Sequence, residues 1–217
     1  MPLDSSLTAE KFQKAIDFDR AGEARNDGRT YTARISFLTQ FFTDLETDHA
    51  LANDPALIAL IAEDAVTQPT CLETTEKECL AVATILKICP SLATEELVTP
   101  LLPLLDHAVL REKALYVVDA ALTANLDEVV SNSMIEGLNR VIGFYLKADF
   151  SRDLTETEMT RALSIKSSLD GNDFCYVNLA LSCKQRIQIR ILELQTALTP
   201  ERPDDQQPDL PNPDRQP

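Results

Sequence analysis

Tryptophan is absent from this 217-residue chain, glycine occurs only five times and histidine only twice. With many Ala and Leu, the shortage of glycine favours helices, because glycine is costly inside a helix and common in β-turns. The five glycines, Gly22, Gly28, Gly137, Gly143 and Gly171, make neither a phosphate loop nor a dinucleotide fingerprint. His49 and His107 are the only imidazoles. Each falls in a polar connection without a positioned partner, so both read as solvated turn residues rather than general bases. No C-x-x-C pair occurs among Cys71, Cys79, Cys89, Cys175 and Cys183. The spacing of eight within Cys71/Cys79 and Cys175/Cys183 suits core packing better than structural zinc, so no metal or cofactor is expected. Long apolar runs are also missing: Ala56–Ala62 is far short of the roughly 20 residues of a membrane span. The first residues, MPLDSSLTAEKF, lack the basic and apolar regions of an export signal. With an odd number of cysteines, that predicts a reducing, cytoplasmic setting.

Basic residues are scarce where acidic ones are dense. The net charge is −15, and residues 43–80 hold nine acidic side chains against Lys77 alone. Residues 1–42 and 136–198 are each neutral. A field of this sign repels nucleic acid and anionic lipid and attracts basic proteins. The expected partner is therefore a protein with a basic segment, and the acidic block supplies the candidate contact residues: Glu63, Asp64, Glu73, Glu76 and Glu78. Lys184, Arg186 and Arg190 form the converse basic strip, suited either to a second copy's acidic region or to solvent.

Helix signals recur along the chain. The first helix is expected over about Thr8–Ala24, ending at the turn Asn26-Asp27-Gly28, and the second over about Arg29–Glu46. Asp54-Pro55 reads as N-cap and first helical position of a third. Thr75-x-x-Glu78, Ser133-x-x-Glu136 and Thr155-x-x-Glu158 have the spacing of capping boxes. Thr94 caps a segment whose first turn holds Glu95 and Glu96, and Pro100 and Pro103 must kink it or restart it at Thr99. A sixth helix is expected over about Leu110–Thr123, and a last one following Asn172 and running to about Leu198. Residues 186–191 alternate with period two like a strand, but no partner strand is in sight. After Thr199, six prolines and a single leucine, Leu210, predict a flexible tail over 199–217 following one all-helical domain over 1–198.

Residues Leu101-Leu102-Pro103-Leu104-Leu105-Asp106, then Leu110-Arg111, Ala114, Ala121 and Leu122, resemble one unit of a HEAT repeat. That resemblance covers about residues 97–122, with Leu110 where the family usually has Val, and is weak elsewhere. It implies an all-α fold of antiparallel helical hairpins stacked as a short α-solenoid, with Asp106 and Arg111 in the ladder linking neighbouring repeats. A compact helical bundle is the alternative. The function so implied is a non-enzymatic adaptor or scaffold binding a partner protein through its acidic central surface. Two alternatives stand beside it: a small all-helical enzyme or ligand-binding protein, and an effector or immunity-type protein that blocks a target.

Overall fold

The computed structural model describes residues 7–25, 32–67 and 71–198. The turn expected at residues 26–28 and the tail over 199–217 lie outside the described residues. Within them the protein is all-α, with no strand. The helices are α1 (Ala9–Arg25), α2 (Thr32–Leu45), α3 (Pro55–Thr67), α4 (Leu72–Ile88), α5 (Glu95–Val98), α6 (Arg111–Val129), α7 (Asn132–Leu146), α8 (Glu156–Ser168) and α9 (Gly171–Leu198). Three 3₁₀ segments, His49–Asn53, Pro90–Leu92 and Thr99–Asp106, join them. The alternating run 186–191 lies inside α9, where α6 and α7 pack on the helix.

Packing runs between near neighbours along the chain. In one row α1 packs on α3, α3 on the 3₁₀ segment Thr99–Asp106, and that segment on α7. In the other row α2 packs on α4, α4 on α6, and α6 on α9. Each member of one row also touches its counterpart in the other: α1 with α2, α3 with α4, the 3₁₀ segment with α6, α7 with α9. The buried apolar residues join into one cluster between the rows, from Phe12 and Ile16 on α1 through Leu86 and Leu115 to Cys183 and Ile187 on α9. Phe12 and Phe37 meet with ring centroids 5.0 Å apart, fastening α1 to α2.

The starts of α3, α7, α8 and α9 follow local capping chemistry, though not always at the expected residue. Asp54 Oδ1 accepts from the N–H groups of Ala56 and Leu57, at 3.0 and 3.1 Å, and opens α3 as its position before Pro55 predicts. The full capping box forms at Thr155 and Glu158. At Thr75 and Glu78 it does not: α4 already begins at Leu72, so both residues lie inside the helix and are buried. The Ser133 box is likewise displaced, since Ser131 accepts from Met134 N–H and starts α7 two residues earlier. For α9 the cap is Asp170, not Asn172. The prolines act as expected. The α-helix stops at Val98 after one turn, and the chain continues as 3₁₀ from Thr99 through Pro103. Helix α6 runs further than expected, to Val129, across a break at Asn125.

Candidate functional site

Helix α3 carries two different faces. Leu57, Ile61, Asp64 and Ala65 are buried on one face, and Ile58 and Ala62, buried as well, lie where the two faces meet. Pro55, Ile58, Ala59, Ala62, Glu63 and Val66 fall at i, i+3, i+4, i+7, i+8 and i+11, a single stripe along the helix. That stripe forms one wall of a groove of about 440 Å³. The facing wall comes from the irregular stretch after α4, where Pro90 and Pro100 keep the chain from forming a long helix: Ser91, Leu92, Thr94, Glu96, Leu97 and Pro100. Ala59 and Ala62 leave the middle of the α3 wall low, so the groove has depth where a larger residue would fill it. Its surface is mostly apolar, and among the described residues its only charged lining residues are Glu63 and Glu96, both exposed. The Thr94 hydroxyl is engaged as the cap of α5, accepting from Leu97 N–H at 3.4 Å. The described lining residues thus set two exposed carboxylates beside an apolar floor.

Behind α3 lies a buried charge cluster. Arg34 of α2 sits at 1 % exposure; its Nε donates to Asp19 of α1 at 3.1 Å and its Nη1 to Asp64 of α3 at 2.7 Å. Asp19 also accepts from the N–H groups of Ala33 and Arg34, both at 3.0 Å, so it caps α2 from across the hairpin. Arg20, partly exposed, reaches the other Asp64 oxygen at 3.5 Å. Glu78 of α4 completes the cluster. Burial pushes its carboxyl up to about 9, and the neighbouring Asp64 carboxylate, which takes a hydrogen bond from it, adds to the rise. At neutral pH Glu78 is therefore an uncharged acid donating to Asp64, and the carboxylates that face Arg34 are those of Asp19, Asp64 and, at 3.7 Å, Glu23.

This cluster splits the five acidic residues marked out by the sequence. Glu63 and Glu73 are exposed and Glu76 is half-buried, whereas Asp64 and Glu78 are interior residues bound up with Arg34. Asp64 and Glu78 therefore do not belong to a partner-facing surface as they stand. The sequence holds the signal for this: Asp64 continues the Leu57–Ile61 stripe and Glu78 precedes Val82 and Ile85 by four and seven residues. Arg34 sits within the apolar run of α2 in the same way.

The remaining candidates have structural settings. Asp106 and Arg111 do not pair side chain to side chain. Asp106 Oδ1 binds Arg140 of α7 at 3.0 Å, and Arg111 Nε donates to the Leu105 carbonyl at 2.8 Å. The Arg111 guanidinium also lies 4.2 Å from the centre of the Phe144 ring on α7. Both residues thus connect the turn before α6 to the next helix. His107 accepts from the N–H groups of Val109 and Leu110 through Nδ1, each at 3.3 Å, closing the same turn; His49 is exposed in the 3₁₀ segment after α2. All five cysteines are free. Cys79, Cys89 and Cys183 are core residues, while Cys71 and Cys175 lie at the starts of α4 and α9, half-buried and exposed respectively, so the spacing of eight does not put both members of a pair in the core. Burial pushes the thiols of Cys79 and Cys183 up to about 12 and about 11, far from the reactive thiolate. The basic strip is consumed internally: Lys184 holds Asn139 and the Phe150 carbonyl, Arg186 holds Asp119 and Thr123, and Arg190 holds Asp127 through both carboxylate oxygens.

Among the described residues no group of His, Cys, Asp and Glu is placed to hold a metal ion, and no helix is long and apolar enough to cross a membrane. Neither a family model, a curated protein nor a solved structure matches this chain.

Proposed function

We propose that this chain is a non-enzymatic adaptor of the short α-solenoid type, binding a partner protein in the groove between α3 and the segment 91–100. The occupant is an amphipathic helix whose apolar row enters the groove and whose Lys or Arg side chains meet Glu63 and Glu96. The observation that carries this reading is an apolar groove whose two charged lining residues, Glu63 and Glu96, are both acidic, on a protein of net charge −15. The two rows of helices, each member packed on its sequence neighbours, support the repeat-like part of the reading, as do the contacts of Asp106 and Arg111 with α7. Glu73 and Glu76, at the start of the helix that follows α3, extend the negative field that steers a basic partner. A cytoplasmic location belongs to the same proposal, supported by five free thiols.

The groove is tested by filling it. Ala59 is exposed on the α3 wall, so Ala59→Trp adds bulk to the groove without removing core. The probe is a dye-labelled helical peptide with Leu at i, i+3, i+4 and i+7 and Lys at the flanking positions, followed by fluorescence anisotropy. Binding to the natural chain and its loss in Ala59→Trp, with the helical circular dichroism unchanged, is the expected result. Equal affinity for both proteins contradicts the groove as the binding site.

A further inference from the structure

Helix α9 has 28 residues, and its packing stripe outlasts the body it packs on. Val177, Ala180, Cys183 and Ile187 are the buried positions, at 1 % exposure or less. The same stripe continues through Ile191, Leu194 and Leu198, which stand 38 %, 46 % and 81 % exposed. From Ile187 onward the steps are four, three and four residues, the spacing of a coiled-coil seam. Arg190 marks the edge of the body: it is clamped to Asp127 near the end of α6, and residues 191–198 beyond it are all exposed.

We propose that the exposed apolar stripe at this end of α9 pairs with the same stripe of a second copy, antiparallel, across a two-fold axis. Charge favours this occupant. Residues 188–198 hold only Arg190 and Glu193, which pair at 3.1 Å, so the segment is neutral on a chain of −15. It is a place where two such acidic molecules approach with little mutual repulsion. Residues 199–217, which follow directly, are poorly suited in composition to an apolar stripe, with one leucine, six prolines and a net −3. In the antiparallel register Ile191 lies against Leu194 of the second copy, and Leu198 of the second copy reaches the level at which Ile187 is already packed in the core. Every level of the seam is then apolar, and the two acidic bodies sit at opposite ends. A two-fold contact of this kind is self-complementary and closes at a dimer. The seam is short, so the pairing belongs with the weak, concentration-dependent contacts.

Sedimentation velocity of the full chain from about 1 to about 200 µM tests the pairing. The sedimenting mass should rise from 24.1 kDa toward twice that value. Ile191→Glu/Leu194→Glu should hold it at the monomer at every concentration with an unchanged Tm, since neither side chain belongs to the buried core. Leu192→Glu, at a still more exposed leucine on the opposite side of the helix, should leave the dimer intact. A monomer throughout the range for the natural chain overturns the proposal, and so does a dimer that survives the Ile191/Leu194 double substitution. The arrangement is read from Leu198→Cys in a Cys175→Ser background. Two such cysteines stand about 16 Å apart along an antiparallel pair, so no disulfide-linked dimer forms on oxidation, whereas a parallel pair cross-links and overturns the antiparallel register. This pairing is independent of the groove, and peptide binding there is unaffected by either outcome.

Discussion

Arg34 and Asp64, thirty residues apart on α2 and α3, meet at 2.7 Å with each side chain about 1 % exposed. The contact ties the first hairpin to the second, and Asp19 and Glu78 bring α1 and α4 to the same point. A buried ion pair of this kind adds little net stability over an apolar core, but removing one partner leaves the other charge stranded. Arg34→Met strands Asp19 and Asp64 together, and the expected loss is about 3–5 kcal/mol in urea unfolding. A loss below about 1 kcal/mol would mean that the cluster is solvated.

Adjacent residues on α3 should respond in opposite ways to the same charge reversal. Glu63 lines the groove and is exposed, so Glu63→Lys should leave Tm nearly unchanged. Asp64→Lys places a second cation against buried Arg34 and should prevent stable folding. Thermal melts of the two variants side by side check this, and similar Tm values would contradict the assigned faces.

Glu78 gives the protein a pH dependence of defined sign. Its folded value, about 9, lies above the ordinary 4.5. The folded state therefore keeps a proton that the unfolded state releases. Stability from this group is full below pH 4.5 and is lost as pH rises toward 9, at up to about 1.4 kcal/mol per pH unit. Glu78→Gln can keep the hydrogen bond to Asp64 without a titrating proton, so its stability should fall less steeply between pH 5 and 9 than that of the natural chain. Parallel curves for the two proteins would show that Glu78 is ionised in the fold.

Two glycines should behave differently on gaining a methyl group. A Cβ on Gly143 would stand 2.7 Å from the carbonyl oxygen of Ala148, where the chain turns back after α7 through Lys147 at φ 52°. Backbone cannot yield cheaply there, and Gly143→Ala should destabilise by about 1–3 kcal/mol. A Cβ on Gly171, at the start of α9, meets nothing within 4 Å. Gly171→Ala should be neutral or stabilising by up to about 1 kcal/mol. Denaturant midpoints measured on both variants decide the matter; equal shifts would contradict the close approach at Gly143.

The all-helical class was legible because the turn and cap residues at Asp54, Thr94, Thr155, Pro100 and Pro103 act locally, within a few residues of where they stand. Thr75 and Ser133 misled because a capping-box spacing carries no information on whether the helix has already begun. The acidic block was legible as charge but not as geometry. Glu63 and Asp64 are neighbours in sequence and opposites in space, and the partner that draws Asp64 inward lies thirty residues away on another helix. The groove could not be read at all, since it forms between α3 and a stretch whose course is set by two prolines and by packing on α6. The end of α9 was legible as a helix, but that its stripe outruns the body depends on where α6 and α7 stop.

The central claim, that the groove takes a basic amphipathic helix, is tested most directly by the affinity of the Leu/Lys peptide for the natural chain and for Glu63→Lys/Glu96→Lys, each across a salt series, with a Leu/Glu peptide of the same pattern as control. The account predicts that the natural chain binds the Leu/Lys peptide and not the Leu/Glu one. Binding should weaken with added salt, and the double substitution should reduce it at least tenfold, about 1.4 kcal/mol, and flatten the salt dependence. Equal affinity for the two peptides, or an unchanged affinity in the double substitution, would contradict it.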